Sequence, residues 1–267
     1  MTDWFYVMPI WGATLVVLGG ALTVGLTGSL GIQKLLRLKV SVEEREVAIN
    51  LMQVVAAYVG IIIAFAGVQV WQDFTDSENA VSSEAATASQ LYQDLVIFGP
   101  EARRAQQSLR TYVISIADDE WPMLAEGKGS ERTQRALERV FADIGKLAPN
   151  DDRSSAIYAE MLGKVNDLVE LRRDRIVDSG TGIPAILWII GLAGALLTVA
   201  YASAFTPTRY NVFMTGGIAV TLGLIFLFIL MVDYPFKGEF SIGNDQIAAL
   251  PATFKRLDEM LARPVTP

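Results

Sequence analysis

The chain of 267 residues is apolar and weakly charged: 52% of its residues are hydrophobic, 19% are charged, and its formal net charge is −7. This composition is typical of a membrane protein rather than of an ordinary soluble domain. The chain contains no cysteine and no histidine, which excludes disulfides, thiolate chemistry, Cys/His metal sites and catalysis by imidazole.

Four charge-free runs are each long enough to cross a bilayer, for which about 20 apolar residues suffice. The first run has no positive charge before it and is too long for the apolar core of a signal peptide, so we expect it to stay in the protein as a membrane span. With their first turns included, the predicted membrane helices cover residues 5–32, 42–71, 183–205 and 207–232.

Helix-capping motifs mark the start of two of these helices. Ser41 and Glu44 have the Ser-x-x-Glu spacing of a capping box, so the second helix is expected to begin near Val42. Thr206 is the expected N-cap of the fourth helix, since Pro207 suits the first helical position.

The polar segment 72–181 separates the second and third spans and carries the whole negative charge, with 20 Asp/Glu against 13 Lys/Arg. Such an acidic segment does not indicate nucleic-acid binding. Apolar residues recur there every three or four positions in four stretches, which predicts a bundle of four amphipathic helices. No helix breaker separates the second span from the first of these helices, so one long helix is expected to leave the membrane. Residues 233–267 form the predicted C-terminal tail.

Two acidic segments of this insert, residues 117–122 and 150–152, are rich enough in carboxylates to suggest a cation site. Neither has the ligand spacing and central glycine of an EF-hand loop, so we assign them to helix capping and solvation. No pattern indicates a metal or a cofactor. No nucleophile stands beside a base, so no catalytic residue is assigned and the chain is not expected to be an enzyme.

No Asp, Glu, Lys or Arg lies inside the charge-free runs, which argues against a proton-coupled transporter. In the second span, Asn50 and Gln53 lie on one face, where they could line water or bond a neighbouring helix. Ile61, Phe65 and Gln69 follow one another by one helical turn. In a ring of subunits this column could form an apolar constriction that closes by dewetting; lipid contact is the alternative.

Small residues also recur at helical spacing and predict close helix packing within the membrane. In the second span these are Ala57, Gly60, Ala64 and Gly67, and we expect this stripe to face other helices, with the bulky column on the opposite side. A similar stripe in the first span includes Gly19, Gly20 and Gly31.

An aspartate, a proline and a glycine follow the fourth span within six residues. Asp233 is expected to stay hydrated or to pair with a cation at the membrane edge. Pro235 ends the helix, and Gly238 allows a backbone conformation that other residues avoid. Together with Phe236, these residues form an Asp-x-Pro-Phe-x-Gly signature that resembles the bacterial bestrophin-like domain family of multi-pass membrane proteins.

Other segments are similar to the same family. "EWP" contains Trp121 and Pro122, and "IPAILW" contains Pro184 and Trp188, at the opening of the third span. The chain departs from the family pattern in its "VEER" segment and in lacking a histidine before it.

The resemblance implies a ring-shaped ion channel. Bestrophins are anion channels with four spans per subunit and a helical insert between the second and third. The expected fold is therefore an all-α integral membrane protein with four transmembrane helices and a helical-bundle insert. The resemblance also implies a homo-oligomer, namely a pentamer, in a bacterial plasma membrane, with lipid and inorganic ions as its partners. A non-conducting membrane scaffold or sensor, whose bundle binds a partner, is the alternative.

The positive charges that flank the spans favour an insert outside the cytoplasm, whereas bestrophins keep the insert inside. The side predicted to be cytoplasmic has five positive charges, Lys34, Arg37, Lys39, Arg45 and Arg209. The side of the insert has four, Arg172, Arg173, Arg175 and Lys237.

Overall fold

The computed structural model describes residues 3–36, 41–203 and 208–261, and the ordered secondary structure of these residues is entirely helical. The α-helices in them are, in chain order, α1 (Asp3–Tyr6), α2 (Ile10–Leu36), α3 (Val42–Phe98), α4 (Arg103–Ser115), α5 (Trp121–Leu124), α6 (Glu131–Ile144), α7 (Asp152–Gly180), α8 (Ala185–Ser203), α9 (Arg209–Val232), α10 (Asp245–Ala248) and α11 (Leu250–Leu261). A 3₁₀ turn at Pro100–Ala102 precedes α4, and a π-helical turn at Ile116–Glu120 follows it.

The chain divides into two units. The membrane unit contains the described residues of 1–72 together with 182–233 and 238–240, and the insert unit contains 73–181, 234–237 and the described residues from 241 onward. Four helices are long and apolar enough to cross a membrane. The protein is therefore an all-α integral membrane protein with four spans and a helical insert between the second and third.

Of the two predicted capping motifs, the structure describes the one that starts α3. The Ser41 and Glu44 side chains each accept a hydrogen bond from the other residue's backbone N–H, at 3.2 and 2.8 Å, which confirms the predicted capping box. Thr206 and Pro207 lie outside the described residues. The N-cap that the structure describes for α9 is Thr208, whose hydroxyl accepts a hydrogen bond from the N–H of Asn211.

In the membrane unit, α2 packs closely against α9. A Cβ built on Gly25 would lie 3.0 Å from the Cβ of Ala219, and one built on Gly223 would lie 2.9 Å from the Cβ of Ala21. Small residues at these crossings let the two backbones approach. The close contacts at Ala21 and Gly25 therefore lie on another face of α2 than Gly20 and Gly31.

The predicted stripes of small residues have few close neighbours within the subunit. Gly19, Gly20 and Gly31 have no atom within 4 Å of a built Cβ, and neither has Gly60. Ala57 and Ala64 are exposed on α3, beside Gly60. The reason is that branched and small side chains on another face of α3, described below, fit the neighbouring helices more closely.

The insert unit has a core of buried apolar side chains from the second half of α3, from α4, α6 and α7, and from the C-terminal helices. The four predicted amphipathic stretches are confirmed, and α3 is the expected continuous helix of 57 residues. Fully buried members include Leu91, Leu95, Leu109, Ile116, Val140, Ile144, Met161, Val165, Leu168 and Phe254.

The C-terminal segment is more ordered than the sequence indicated. We predicted no helix after residue 232, yet α11 packs into the core of the insert unit. The ring of Phe254 stacks on that of Tyr92 with centroids 4.1 Å apart. Asp258 accepts hydrogen bonds from the hydroxyl of Tyr92 and the guanidinium of Arg110. An amphipathic helix of only 12 residues gave too weak a periodicity to be recognised.

Candidate pore-lining face of helix α3

Within the membrane unit, α3 has a buried face and an exposed face. The buried face consists of Val59, Ile63, Ala66 and Val70, all less than a tenth exposed. It contacts α8, where Gly194 leaves room for Val59, and Ile63 and Ala66 lie around a small cavity with Phe226 and Ile229 of α9. Beside this face, the ring of the exposed Trp71 stacks on that of Phe228 of α9 at 6.4 Å. The opposite side of the helix is mostly exposed.

Large side chains cover the exposed face. Ile61 is 55% exposed and Phe65 is 72% exposed, and Val54, Tyr58 and Val68 are exposed to a similar degree. A single subunit offers these side chains no partner that would shield them. In a membrane they must meet lipid, another subunit or a water-filled space.

The residues predicted to line a pore all lie on this exposed side. At about 100° per residue, Asn50, Ile61 and Phe65 follow one line along α3, with Gln53 on one flank and Gln69 on the other. All five are exposed in the subunit. The amides of Asn50 and Gln53 lie at one end of the line, and the two apolar side chains lie in its middle. Around a central axis, this order would give a polar mouth followed by an apolar constriction.

The small-residue column runs beside this bulky line and not opposite to it. Ala57, Gly60 and Ala64 are exposed on the flank that also carries Gln53. Bulky and small columns next to each other on one exposed side of a helix suit a ring, in which the bulky column faces the axis and the small column lets a neighbouring helix approach.

The motif after the fourth span fixes how α9 ends. Asp233 is buried rather than hydrated, and its Oδ1 accepts a hydrogen bond from the backbone N–H of Ile183 at 2.7 Å. Pro184 follows Ile183 directly and precedes α8. The carboxylate therefore ties the end of α9 to the start of α8. On α8, the ring of Trp188 stacks on that of Phe226 at 6.0 Å.

The remaining motif residues shape the turn beyond α9. The carbonyl of Pro235 accepts a hydrogen bond from the N–H of Ile242 at 2.8 Å. Gly238 has φ +81°, in the left-handed region that glycine tolerates best. A Cβ on Gly238 would lie 3.3 Å from Cδ1 of Tyr6, whose hydroxyl donates to the carbonyl of Leu230. Conformation and close approach both require glycine here.

In the insert unit, two further motif residues meet. The rings of Trp121 and Phe236 pack edge to face with centroids 5.7 Å apart. The guanidinium of Arg175 lies over the ring of Trp121, 5.4 Å from its centroid. Pro122 is exposed in the first turn of α5. These motif residues therefore hold α5, α7 and the turn after α9 together.

The insert unit also contains a buried ionic network that the sequence analysis missed. Arg175 Nε donates to Glu84 at 2.7 Å, and Arg175 Nη2 donates to Glu120 at 2.9 Å. Arg172 pairs with the other oxygen of Glu120 at 2.6 Å and also donates to the amide oxygen of Gln134. The assignment of residues 117–122 to solvation is therefore wrong for Glu120, which is fully buried. The π-helical turn that ends at Glu120 carries it into the core, and nothing in the local sequence signals this turn.

The network changes the acidity of its members. Burial raises the pKa of Tyr112 well above its usual range, and the negative charge of Glu84, to which its hydroxyl donates at 2.8 Å, raises it further. Burial by itself lowers the pKa of Arg175, but the charge and hydrogen bonds of Glu84 outweigh this effect and raise it. Tyr112 therefore stays neutral and Arg175 stays charged. Two carboxylates facing two guanidiniums balance in charge, which suits a structural role.

Within the described part of the chain, no group of three or more Asp and Glu residues is arranged to hold a metal ion. Carboxylates of the two acidic segments have partners within the chain. Asp119 accepts a hydrogen bond from Arg132 at 3.0 Å, and Asp151 caps α7 through the N–H of Ser154.

Together, these features define a class of protein: a four-span helical membrane protein with a charged insert bundle and an exposed bulky face on its second span. The family follows from the sequence, since the profile of the bestrophin-like domain family matches residues 19–247. The chain belongs to this family. No curated protein matches its sequence.

Solved structures share the fold. A variant of a bacterial bestrophin homologue from Klebsiella pneumoniae superimposes with a TM-score of 0.69 at 13% identity, over 94% of this chain and 99% of the other. Another structure of a bacterial bestrophin homologue from this organism gives a TM-score of 0.67 at 14% identity, over 94% and 99% of the two chains. A third variant gives 0.67 at 16% identity, over 93% and 99%.

Proposed function

We propose that this protein is a homo-oligomeric ion channel that conducts passively through a pore lined by α3. Asn50 and Gln53 would supply polar groups at one end of the pore, Ile61 and Phe65 would form its narrow apolar part, and Gln69 would follow on the other side. Membership of the bestrophin-like family supports this assignment, and so does a fold shared with bacterial bestrophin homologues.

One observation carries the proposal. The bulky face of α3 is exposed in the subunit, although the same helix uses its opposite face to pack on α8 and α9. No Asp, Glu, Lys or Arg lies on α3 between residues 47 and 72, so passage of a hydrated ion would depend on pore width and wetting and not on fixed charge.

The decisive experiment measures ion flux from liposomes that contain the purified protein. Phe65→Ala should raise basal flux, because removal of a large apolar side chain widens and wets the constriction. Ile189→Ala is the matched control, since Ile189 is an equally exposed apolar residue on α8; its flux should equal that of the wild type. No flux above empty liposomes, from protein shown to be folded and oligomeric, would favour the scaffold or sensor instead.

Ion selectivity is tested in the same liposomes. The family resemblance implies anions, whereas the excess of acidic residues in 72–181, 20 against 13, would concentrate cations at a vestibule lined by the insert. A KCl gradient, with both ions more concentrated on the same side of the membrane, gives reversal potentials of opposite sign for the two cases. A chloride-selective current would mean that the pore face of α3, and not the net charge of the insert, sets selectivity.

We propose that the assembly is a pentamer, as the resemblance implies, and native mass spectrometry of the detergent-solubilised protein would count its subunits. The chain contains no cysteine, so the labelling of one introduced cysteine reports on which side of the membrane the insert lies. The charge count assigns the insert to the outside of the plasma membrane and the resemblance assigns it to the cytoplasm. A single cysteine at exposed Asn150, treated with an impermeant maleimide on intact cells, becomes labelled only in the first case.

A further inference from the structure

A groove lies between α2 and α9 on the surface of the membrane unit. It encloses about 630 Å³ and is almost entirely apolar. Its walls are Leu22 and Leu26 from α2 and Val212, Phe213 and Val220 from α9, and Arg209 stands at one end.

The groove exists because α9 lacks side chains where its wall would otherwise close. Gly216 and Gly217 stand side by side along it. A Cβ built on Gly217 would meet no atom within 4 Å, so the space above this residue is open. Next to the groove, Gly25 approaches Ala219 and Gly216 closely, which brings the two helices together. From Arg209 to Val220 the groove runs about 16 Å along α9, roughly half of the ~30 Å hydrocarbon core and hence the depth of one leaflet.

Arg209 gives this apolar groove a charged end. It is the first residue of α9 and is exposed, so its guanidinium lies where the apolar span begins. The N-terminus of a helix adds partial positive charge at the same place. Tyr210 is exposed next to it, as is typical of aromatic side chains at the membrane interface.

We propose that this groove binds one anionic phospholipid, whose phosphate pairs with Arg209 and whose acyl chain lies along Leu22, Leu26 and Phe213. A guanidinium recognises phosphate through paired hydrogen bonds, and the apolar walls match a hydrocarbon chain. The depth of the groove fits the chain of a lipid from the leaflet in which Arg209 lies. A soluble anion would leave the apolar part empty, and a polar peptide would have to desolvate its backbone there.

Native mass spectrometry of the purified oligomer tests this proposal without measuring flux, so its outcome is independent of whether the protein conducts. The protein is incubated with phosphatidylglycerol or phosphatidylcholine, and the lipid retained after gas-phase activation is counted. Wild-type protein should retain phosphatidylglycerol in preference to phosphatidylcholine. Arg209→Gln should weaken phosphatidylglycerol retention roughly tenfold, the effect of losing one strong charge-assisted contact, and should abolish the preference.

A second variant tests the apolar part of the groove. Gly217→Leu fills the open space and should reduce retention of both lipids. Gly20→Leu is the matched control, because Gly20 is exposed on α2 and also has no atom within 4 Å of a built Cβ, but does not line the groove; it should retain lipid like the wild type.

Three results would overturn the proposal. One is equal retention of the two lipids by the wild type, and another is unchanged retention in both Arg209→Gln and Gly217→Leu. The third is that Gly217→Leu dissociates the oligomer while the separated subunits retain as much lipid as the wild type. This result would assign the groove to a second copy of the chain.

Discussion

Arg175 on α7 and Glu84 on α3 form an ion pair with Nε and Oε2 2.7 Å apart, and both side chains are buried from solvent. Ninety-one positions separate them in sequence. The pair joins the two longest helices of the insert unit. Tyr112 also donates to Glu84 and Arg175 also donates to Glu120, whereas Nη1 of Arg175 is buried without a hydrogen-bond partner. Charges buried in this way are stable only while each keeps its partner.

Removing one partner of this pair should therefore destabilise the insert strongly. Glu84→Ala would leave Arg175 charged, since a guanidinium stays protonated in proteins, and would remove the acceptor of Tyr112. We expect the free energy of unfolding to fall by about 3–5 kcal/mol, measured as a lower Tm of the purified protein in detergent. Lys128→Ala breaks an ion pair whose side chains are both about two-thirds exposed and should leave the Tm unchanged. Equal Tm values for the two variants would contradict the structural role of the network.

The pH dependence of stability should depend on Asp178. Burial raises the pKa of this carboxyl, and the charges of Asp174, Asp73 and Asp76 raise it further, although Ser77 donates a hydrogen bond that opposes them. The folded protein therefore holds a proton on Asp178 more tightly than the unfolded chain, in which the pKa is about 3.9. Stability falls as pH rises from that value through the raised pKa of the folded state, and the loss persists at neutral pH.

Asp178→Asn removes this ionisation and keeps an oxygen for Ser77. Its Tm should exceed that of the wild type at pH 7, and the difference should shrink as pH falls toward about 4. Asp167→Asn on the same helix is the control, because Asp167 is exposed; it should follow the wild-type Tm at every pH. A variant that is less stable than the wild type at pH 7 would refute the raised pKa.

The contact between α3 and α8 depends on the absence of a side chain at Gly194. A Cβ built there would overlap with Cγ2 of Val59, a branched residue with little freedom to move. Gly194→Ala should lower the free energy of unfolding by about 1–3 kcal/mol through overpacking. Gly20→Ala adds the same methyl group where no atom lies within 4 Å, so its Tm should not fall. Thermal unfolding in detergent compares the two, and equal values would mean that α3 and α8 pack more loosely.

Docking of α11 should depend on Phe254, which is fully buried against Tyr92. Phe254→Ala should reduce stability by about 3–5 kcal/mol and release the helix. Trypsin would then cleave faster at Lys255 and Arg256, because cleavage requires local unfolding. Met260→Ala changes a residue that is 58% exposed and should not alter cleavage. Slow cleavage in both variants would show that Asp258 and Arg110 hold the helix without the aromatic stack.

The sequence by itself determined the membrane spans, the insert and the family. Charge-free runs of such length have no stable place outside a bilayer or a large core, and helical periodicity marked α4, α6 and α7 because each buries one face. The Asp-x-Pro-Phe-x-Gly segment identified the family through local requirements, a helix stop at Pro235 and a left-handed residue at Gly238, which depend little on the rest of the chain.

Only the tertiary structure decided which faces meet. The spacing of small residues on α3 and α2 predicted that they would form the helix contacts, but the buried face of α3 consists of Val59, Ile63, Ala66 and Val70. Shape complementarity depends on both helices of a pair, so the sequence of one helix does not predict it. Glu120 looked like a solvated acid and is buried, since its partner Arg172 comes from a distant helix. Long-range pairing of this kind has no period and no spacing, and so no local pattern could have predicted it.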